Sequence, residues 1–225
     1  SFLGNLDKIP AYTEECKRLN IQILKPDINK SYTKFTVDGD KIRFGLGSVK
    51  NVGTSAVDEI VAERDRNGQF KDFTDFCERI QETNVNKKCI ESLIKAGAFD
   101  EFNETRRTLM ESFESILDTI TSSNKKELEG QVNMFDLGGS DSKEMKYTFK
   151  EFPEYSRKEL LFMEKEMLGL YISGHPLDNI RHQIEMQTNI NSFQMRQMEN
   201  TDEIGDEIRQ EIKDGQMVKY AGIIT

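Results

Sequence analysis

Residues 41–55 read Lys41-Ile42-Arg43-Phe44-Gly45-Leu46-Gly47-Ser48-Val49-Lys50-Asn51-Val52-Gly53-Thr54-Ser55, and the fold is decided here. Ile42 and Phe44 alternate out of Asp38-Gly39, and Phe35 and Val37 alternate into it. A D-G turn between alternating apolar residues predicts a β-hairpin near residues 33–45. Gly45, Gly47 and Gly53 then space a tight turn that ends where a helical pattern starts. Val57, Ile60 and Val61 share one face of that helix, and Gly68 stops it near residue 67. Ser55 with Asp58 resembles a capping box for its start.

Upstream, Pro10 and the spacing of Tyr12, Cys16 and Leu19 predict a helix over about 10–20. Ile21 to Ser31, with Pro26, reads as an extended connector. Downstream, Phe73, Phe76, Cys77 and Ile80 mark a short helix. Asn86 is a natural N-cap for a third, carrying Cys89, Ile90, Leu93 and Ile94 and ending at Gly97. Leu109, Phe113, Ile116, Leu117 and Ile120 mark an amphipathic fourth. From residue 121 to 150 the composition turns polar and reads as a linker around Leu137-Gly138-Gly139-Ser140. Ser156 and Glu159 form a second capping box, ahead of a helix with Leu160, Leu161, Met163, Met167 and Leu168. His175-Pro176 opens a short helical stretch with Ile180 and Ile184. The run from Val218 to Ile224 has strand character and needs partners, so a piece of a longer polypeptide is expected. The fold class is mainly α with one small hairpin.

The net charge of −9 argues against a uniformly basic nucleic-acid surface. Residues 41–110 hold twelve basic and twelve acidic side chains, so the acid excess lies in the flanks. No apolar run approaches the ~20 residues that span a bilayer. Cys16, Cys77 and Cys89 are odd in number and form no C-x-x-C pair, which suits a reducing cytoplasm and no zinc site.

Four constellations are candidates for function. The first is a pair of helix–turn–helix units, one through Lys50, Asn51, Val52, Gly53 and Thr54, the other through Lys95, Gly97, Ala98 and Phe99. A turn ending on a helix N-terminus offers free N–H groups and the positive end of the helix dipole, a seat for phosphate. Glycine lets a phosphate approach and allows positive φ, and Lys50 and Lys95 add charge. Such a seat reads the backbone and is indifferent to base sequence. The second is Gln131-Val132-Asn133-Met134-Phe135, an apolar island in the polar linker. Burying Met134 and Phe135 in a partner would contribute about 1.5–3 kcal/mol each. The third, His175, His182 and the cysteines, lacks metal-ligand spacing. The fourth, the acidic pairs Glu14-Glu15, Asp100-Glu101 and Asp202-Glu203, reads as solvated charge, with no metal site and no catalytic residue expected.

Three runs together resemble one family. They are residues 41–53, then Leu93-Ile94-Lys95-Ala96-Gly97-Ala98-Phe99-Asp100, then Glu164-Lys165-Glu166-Met167-Leu168-Gly169-Leu170-Tyr171-Ile172-Ser173-Gly174-His175-Pro176-Leu177. In order and spacing they are similar to the catalytic α subunit of bacterial DNA polymerase III, of the DnaE type. The resemblance implies the end of a fingers domain at 1–40 and a tandem helix-hairpin-helix module on duplex DNA at 41–120. It further implies a linker with a sliding-clamp motif at 121–150, a helical connector at 151–215 and the first strand of an OB-fold at 216–225. Gln131, Met134 and Phe135 match the clamp motif, with Val132 and Asn133 as spacers. The expected partners are primer-template DNA, the β sliding clamp and other replicase subunits, in the bacterial cytoplasm. No cofactor is expected in this segment, the parent polymerase's Mg²⁺ being held by carboxylates upstream. A helix-hairpin-helix repair or recombination scaffold and a Cys–His hydrolase are the alternatives. The charge balance predicts weak DNA affinity alone, raised in the longer protein by clamp tethering.

Overall fold

The structure, a computed structural model, describes residues 13, 15–16, 18–128, 150–190, 215 and 217–222, with the backbone alone for 124–128. Among these residues three short strands precede six helices. The strands are β1 (Ile23–Leu24), β2 (Thr36–Asp38) and β3 (Lys41–Arg43). The helices are α1 (Thr54–Asn67), α2 (Phe73–Arg79), α3 (Lys87–Ala96), α4 (Arg106–Leu128), α5 (Arg157–Leu168) and α6 (Arg181–Gln187). Thr13, Glu15, Cys16 and Arg18 are helical, inside the span 10–20 expected to be.

The hairpin forms as its turn chemistry predicts. Gly39 takes φ 65°, and β2 runs antiparallel to β3 with Val37 opposite Ile42. The extended connector contributes more than expected. Its Ile23 and Leu24 pair in parallel with Ile42 and Arg43 and cover the second edge of β3. The connector then turns at Asp27, whose carboxylate accepts from the N–H groups of Asn29 and Lys30. Asn29 bonds Phe70 in both directions, and the buried Arg64 donates to the carbonyls of Ile28 and Ser31. These bonds satisfy loop backbone that would otherwise be buried unpaired.

Local signals set most helix ends. Asn86 accepts from the Cys89 N–H at 2.9 Å to start α3, and Gly97 ends it in the left-handed region. Ser156 and Glu159 make the full capping box of α5. The capping box expected at Ser55 does not form. The N-cap is Gly53, which places Ser55 inside the first turn, and Asp58 instead accepts from the Thr33 hydroxyl at 2.8 Å. α4 continues to Leu128, past residue 121 where a linker was expected to start. Thr119, Thr121 and Ser122 donate to the carbonyls four residues back, which lets polar residues stay helical.

The core is aromatic at its centre. Phe99 meets Phe73 and Phe76 edge-on, with ring centroids 5.0 and 4.9 Å apart, and Phe70 meets Phe76 in the same way. Such pairs contribute about 0.5–1.5 kcal/mol each beyond simple burial. Leu109, Phe113, Ile116 and Ile120 bring α4 onto this core. Ile28 from the connector and Met167, Leu168 and Leu170 from α5 and its exit join it too.

The chain divides into two compact units at residues 174 and 175. Within the first unit one core joins Ile28, the apolar residues from Phe44 to Ile120, and Met167, Leu168 and Leu170. In the second unit, a 3₁₀ turn at Asp178–Ile180 leads into α6. Residues 217–222 carry no strand ladder. Lys219 exchanges two hydrogen bonds with Asn189, and a ladder needs a longer paired edge than that.

Candidate nucleic-acid interface

The first turn is built from glycines on one side and open N–H groups on the other. A Cβ at Gly45 would stand 2.5 Å from the Lys34 carbonyl carbon, and one at Gly47 would stand 2.8 Å from the Thr33 oxygen. Only glycine permits this approach, which the bonds Leu46 N–H to Tyr32 O and Gly47 N–H to Thr33 O hold together. Leu46, Val49, Val52 and Val57 then anchor the turn in the core. Lys50, Asn51, Gly53, Thr54 and Ser55 are exposed. The residue in the left-handed region is Asn51, at φ 63°, while Gly53 is extended at φ −76°. Asn51 also donates to Ser92 on α3, tying the first turn to the helix that leads into the second turn.

No side chain caps α1 at Gly53. The N–H groups of Thr54 and Ser55 are therefore left at the surface, at the positive end of a fourteen-residue helix. Lys50 stands three residues before Gly53 and makes no ion pair among the described residues. Within this first turn Val52 is the expected contact residue whose side chain packs inward.

The second turn is closed. Gly97, Ala98 and Phe99 are buried, with Phe99 at the centre of the aromatic cluster. The Lys95 ammonium is held by Glu91 at 2.6 Å, and this pairing in turn holds the Glu91 carboxyl below the usual range. Arg106 covers Gly97 and grips Asp100 through two bonds, and it donates to the Lys95 carbonyl. Burial works to raise the Asp100 carboxyl, but Arg106 and Lys25 outweigh it and hold it low. The start of α4 is also taken. Glu154 accepts from the N–H groups of Arg106 and Arg107 at 2.9 and 3.3 Å, and Thr105 accepts from Thr108 N–H. A neighbouring cleft of about 420 Å³ is lined by Asp100, Glu101, Glu104, Glu154 and Glu164 against Lys25, Arg106 and Arg157. Its acid excess repels phosphate. Gly97, Ala98 and Phe99 are thus packed inward and Lys95 is paired, with Arg106 and Glu154 filling the surroundings of the turn, partners that the spacing of these residues could not reveal.

The comparisons bear on this geometry. A family model described as a helix-hairpin-helix motif matches residues 20–109, which span both turns and β1. The DNA polymerase III subunit alpha of Borreliella burgdorferi is 39% identical over 190 residues, 84% of this chain and 17% of that protein. That of Saccharopolyspora erythraea is 41% identical over 182 residues, 77% of this chain and 15% of that protein. That of Mycobacterium leprae is 40% identical over 183 residues, 80% and 15% respectively. This chain corresponds to a segment of the DnaE-type DNA polymerase III α subunit. It spans about a sixth of the length of these relatives.

Gln131, Val132, Asn133, Met134 and Phe135 lie outside the described residues. Among the described residues no three His, Cys, Asp or Glu side chains converge to hold a metal ion, and no helix is long and apolar enough to cross a membrane. Cys77 and Cys89 are buried; burial pushes the Cys89 thiol up to about 11 and Cys77 higher still. A thiolate nucleophile is disfavoured at both.

Proposed function

We propose that this chain is a DNA-binding segment of a replicative polymerase, in which the turn at Lys50–Thr54 seats a backbone phosphate of duplex DNA. The observation that carries this reading is the uncapped, exposed N-terminus of α1 beside Lys50, within a helix-hairpin-helix motif. Thr54 and Ser55 donate N–H groups to the phosphate, Gly53 lets it approach, and Lys50 supplies charge. Asn51 holds the turn in shape and Val52 anchors it. Contact through one phosphate carries no base information, so binding is independent of sequence. In this reading the second turn supports the first and does not touch DNA.

The same reading assigns Gln131–Phe135 to a sliding clamp, with Met134 and Phe135 filling an apolar pocket of the clamp. Nucleotidyl transfer, its Mg²⁺ and the contacts to other replicase subunits then belong to the rest of the longer protein, in the bacterial cytoplasm.

The test is fluorescence anisotropy with a labelled duplex over a range of salt. Lys50→Ala is expected to make the log–log salt slope shallower by about 0.9, the loss of one phosphate contact. Lys95→Ala is expected to leave it unchanged. Equal effects of the two would reject the assignment to the first turn. For the clamp, binding that survives Gln131→Ala, Met134→Ala and Phe135→Ala together would reject the motif.

A further inference from the structure

The Lys50 N–H does not face solvent with the rest of its turn. It donates to the carbonyl of Met167 at 2.9 Å. Met167 lies in the last turn of α5, where carbonyls lack a partner within the helix. The bond fixes the backbone at the residue just before Asn51, whose left-handed conformation aims residues 53–55 outward.

Glu164 lies one turn earlier than Met167 on the same helix. Glu164 is 1% exposed. It accepts from Ile172 N–H at 3.3 Å, Ser173 N–H at 3.0 Å and the Ser173 hydroxyl at 2.5 Å. The chain leaving α5 through Gly169, at φ 75°, is thereby folded back on the helix. Arg106 stands 3.5 Å away and balances the buried charge. The same Arg106 closes the second turn over Gly97. Arg106 thus contacts both the second turn and Glu164 on α5, and Met167, one turn beyond Glu164, accepts from the first turn.

We propose that Glu164 is a positioning residue for the phosphate seat, and that α5 is its third structural piece although it lies outside residues 20–109. This rests on the DNA-binding reading above. Glu164 acts through the Met167 carbonyl on Lys50.

The experiment uses the whole chain with Glu164→Ala and Glu164→Gln, a labelled duplex across a salt series, and hydrogen exchange read at single amides. Glu164→Ala is expected to make the salt slope shallower by about 0.9, as Lys50→Ala does. The Lys50 amide is expected to lose protection while Val57 and Ile60 keep theirs. Glu164→Gln retains an acceptor for residues 172 and 173 and is expected to restore both readouts. A protected Lys50 amide or an unchanged slope in a folded Glu164→Ala protein would overturn the proposal. If that variant exchanges globally, Ser173→Ala replaces it, since it deletes one donor to Glu164 and leaves the buried charge. Faster exchange confined to Lys50 supports the proposal there, and no change overturns it. If the unaltered chain binds no duplex at any salt, the DNA reading fails, and the exchange pattern still decides the link from Glu164 to Lys50.

Discussion

Arg106 and Asp100 meet through two parallel bonds, Nε to Oδ1 at 2.7 Å and Nη2 to Oδ2 at 2.6 Å, with the guanidinium lying over the α-carbon of Gly97. The Arg106 side chain is 5% exposed and that of Asp100 27%. A two-pronged pair of this kind fixes orientation as well as charge. It makes the second turn a structural joint where an unfilled turn would be an anion seat.

Gly97→Ala is expected to destabilise the chain by about 2 kcal/mol or more. A left-handed φ costs an L-residue about 1–2 kcal/mol, and the added Cβ would displace Arg106 from Asp100. Denaturant unfolding measures this directly. A loss smaller than that of an exposed alanine substitution would contradict the packing described.

The Asp100 pair should fail in acid. Its folded-state carboxyl is held below the ordinary value of 3.8, so it contributes stability above that value and loses it as pH falls further. The stability gap between the unaltered chain and Asp100→Asn is expected to be full at neutral pH and to narrow below pH 3.8. Denaturation midpoints measured down to about pH 2 check this. A gap that persists undiminished would mean that the ion pair is not its source.

Phe99→Ala is expected to cost about 3–5 kcal/mol, the range for a large aromatic removed from a core. Its duplex-binding salt slope, measured where the variant remains folded, is expected to match that of the unaltered chain. A shallower slope would return Phe99 to the interface.

Native-state thiol labelling is expected to modify Cys16 first. Cys16 is half-buried, whereas Cys77 and Cys89 are enclosed and their thiols are raised by burial. Denaturant should release all three. Fast native labelling of Cys77 or Cys89 would reopen the thiol-nucleophile alternative.

Elements with local chemistry were legible from the residues alone. Asp38-Gly39 set the hairpin, Asn86 and Gly97 bounded α3, and Ser156 with Glu159 started α5, because each signal acts within a few residues. Ser55-Asp58 misled for the same reason. Its spacing is that of a capping box, yet Asp58 was drawn to Thr33, a partner 25 positions away. The end of α4 was misread because Ser and Thr are common in linkers but can bond back to their own helix.

By itself, then, the sequence determined the helical units, the two glycine-marked turns and the exposed lysine at the first, since these follow from backbone preferences and short-range capping. Tertiary structure decided which turn stays open. Glu154 reaches α4 from 48 positions away, Arg106 closes over Gly97, and Met167 takes the Lys50 amide. Spacing cannot encode those choices, because they depend on which distant donors and acceptors a shared core brings within hydrogen-bond reach.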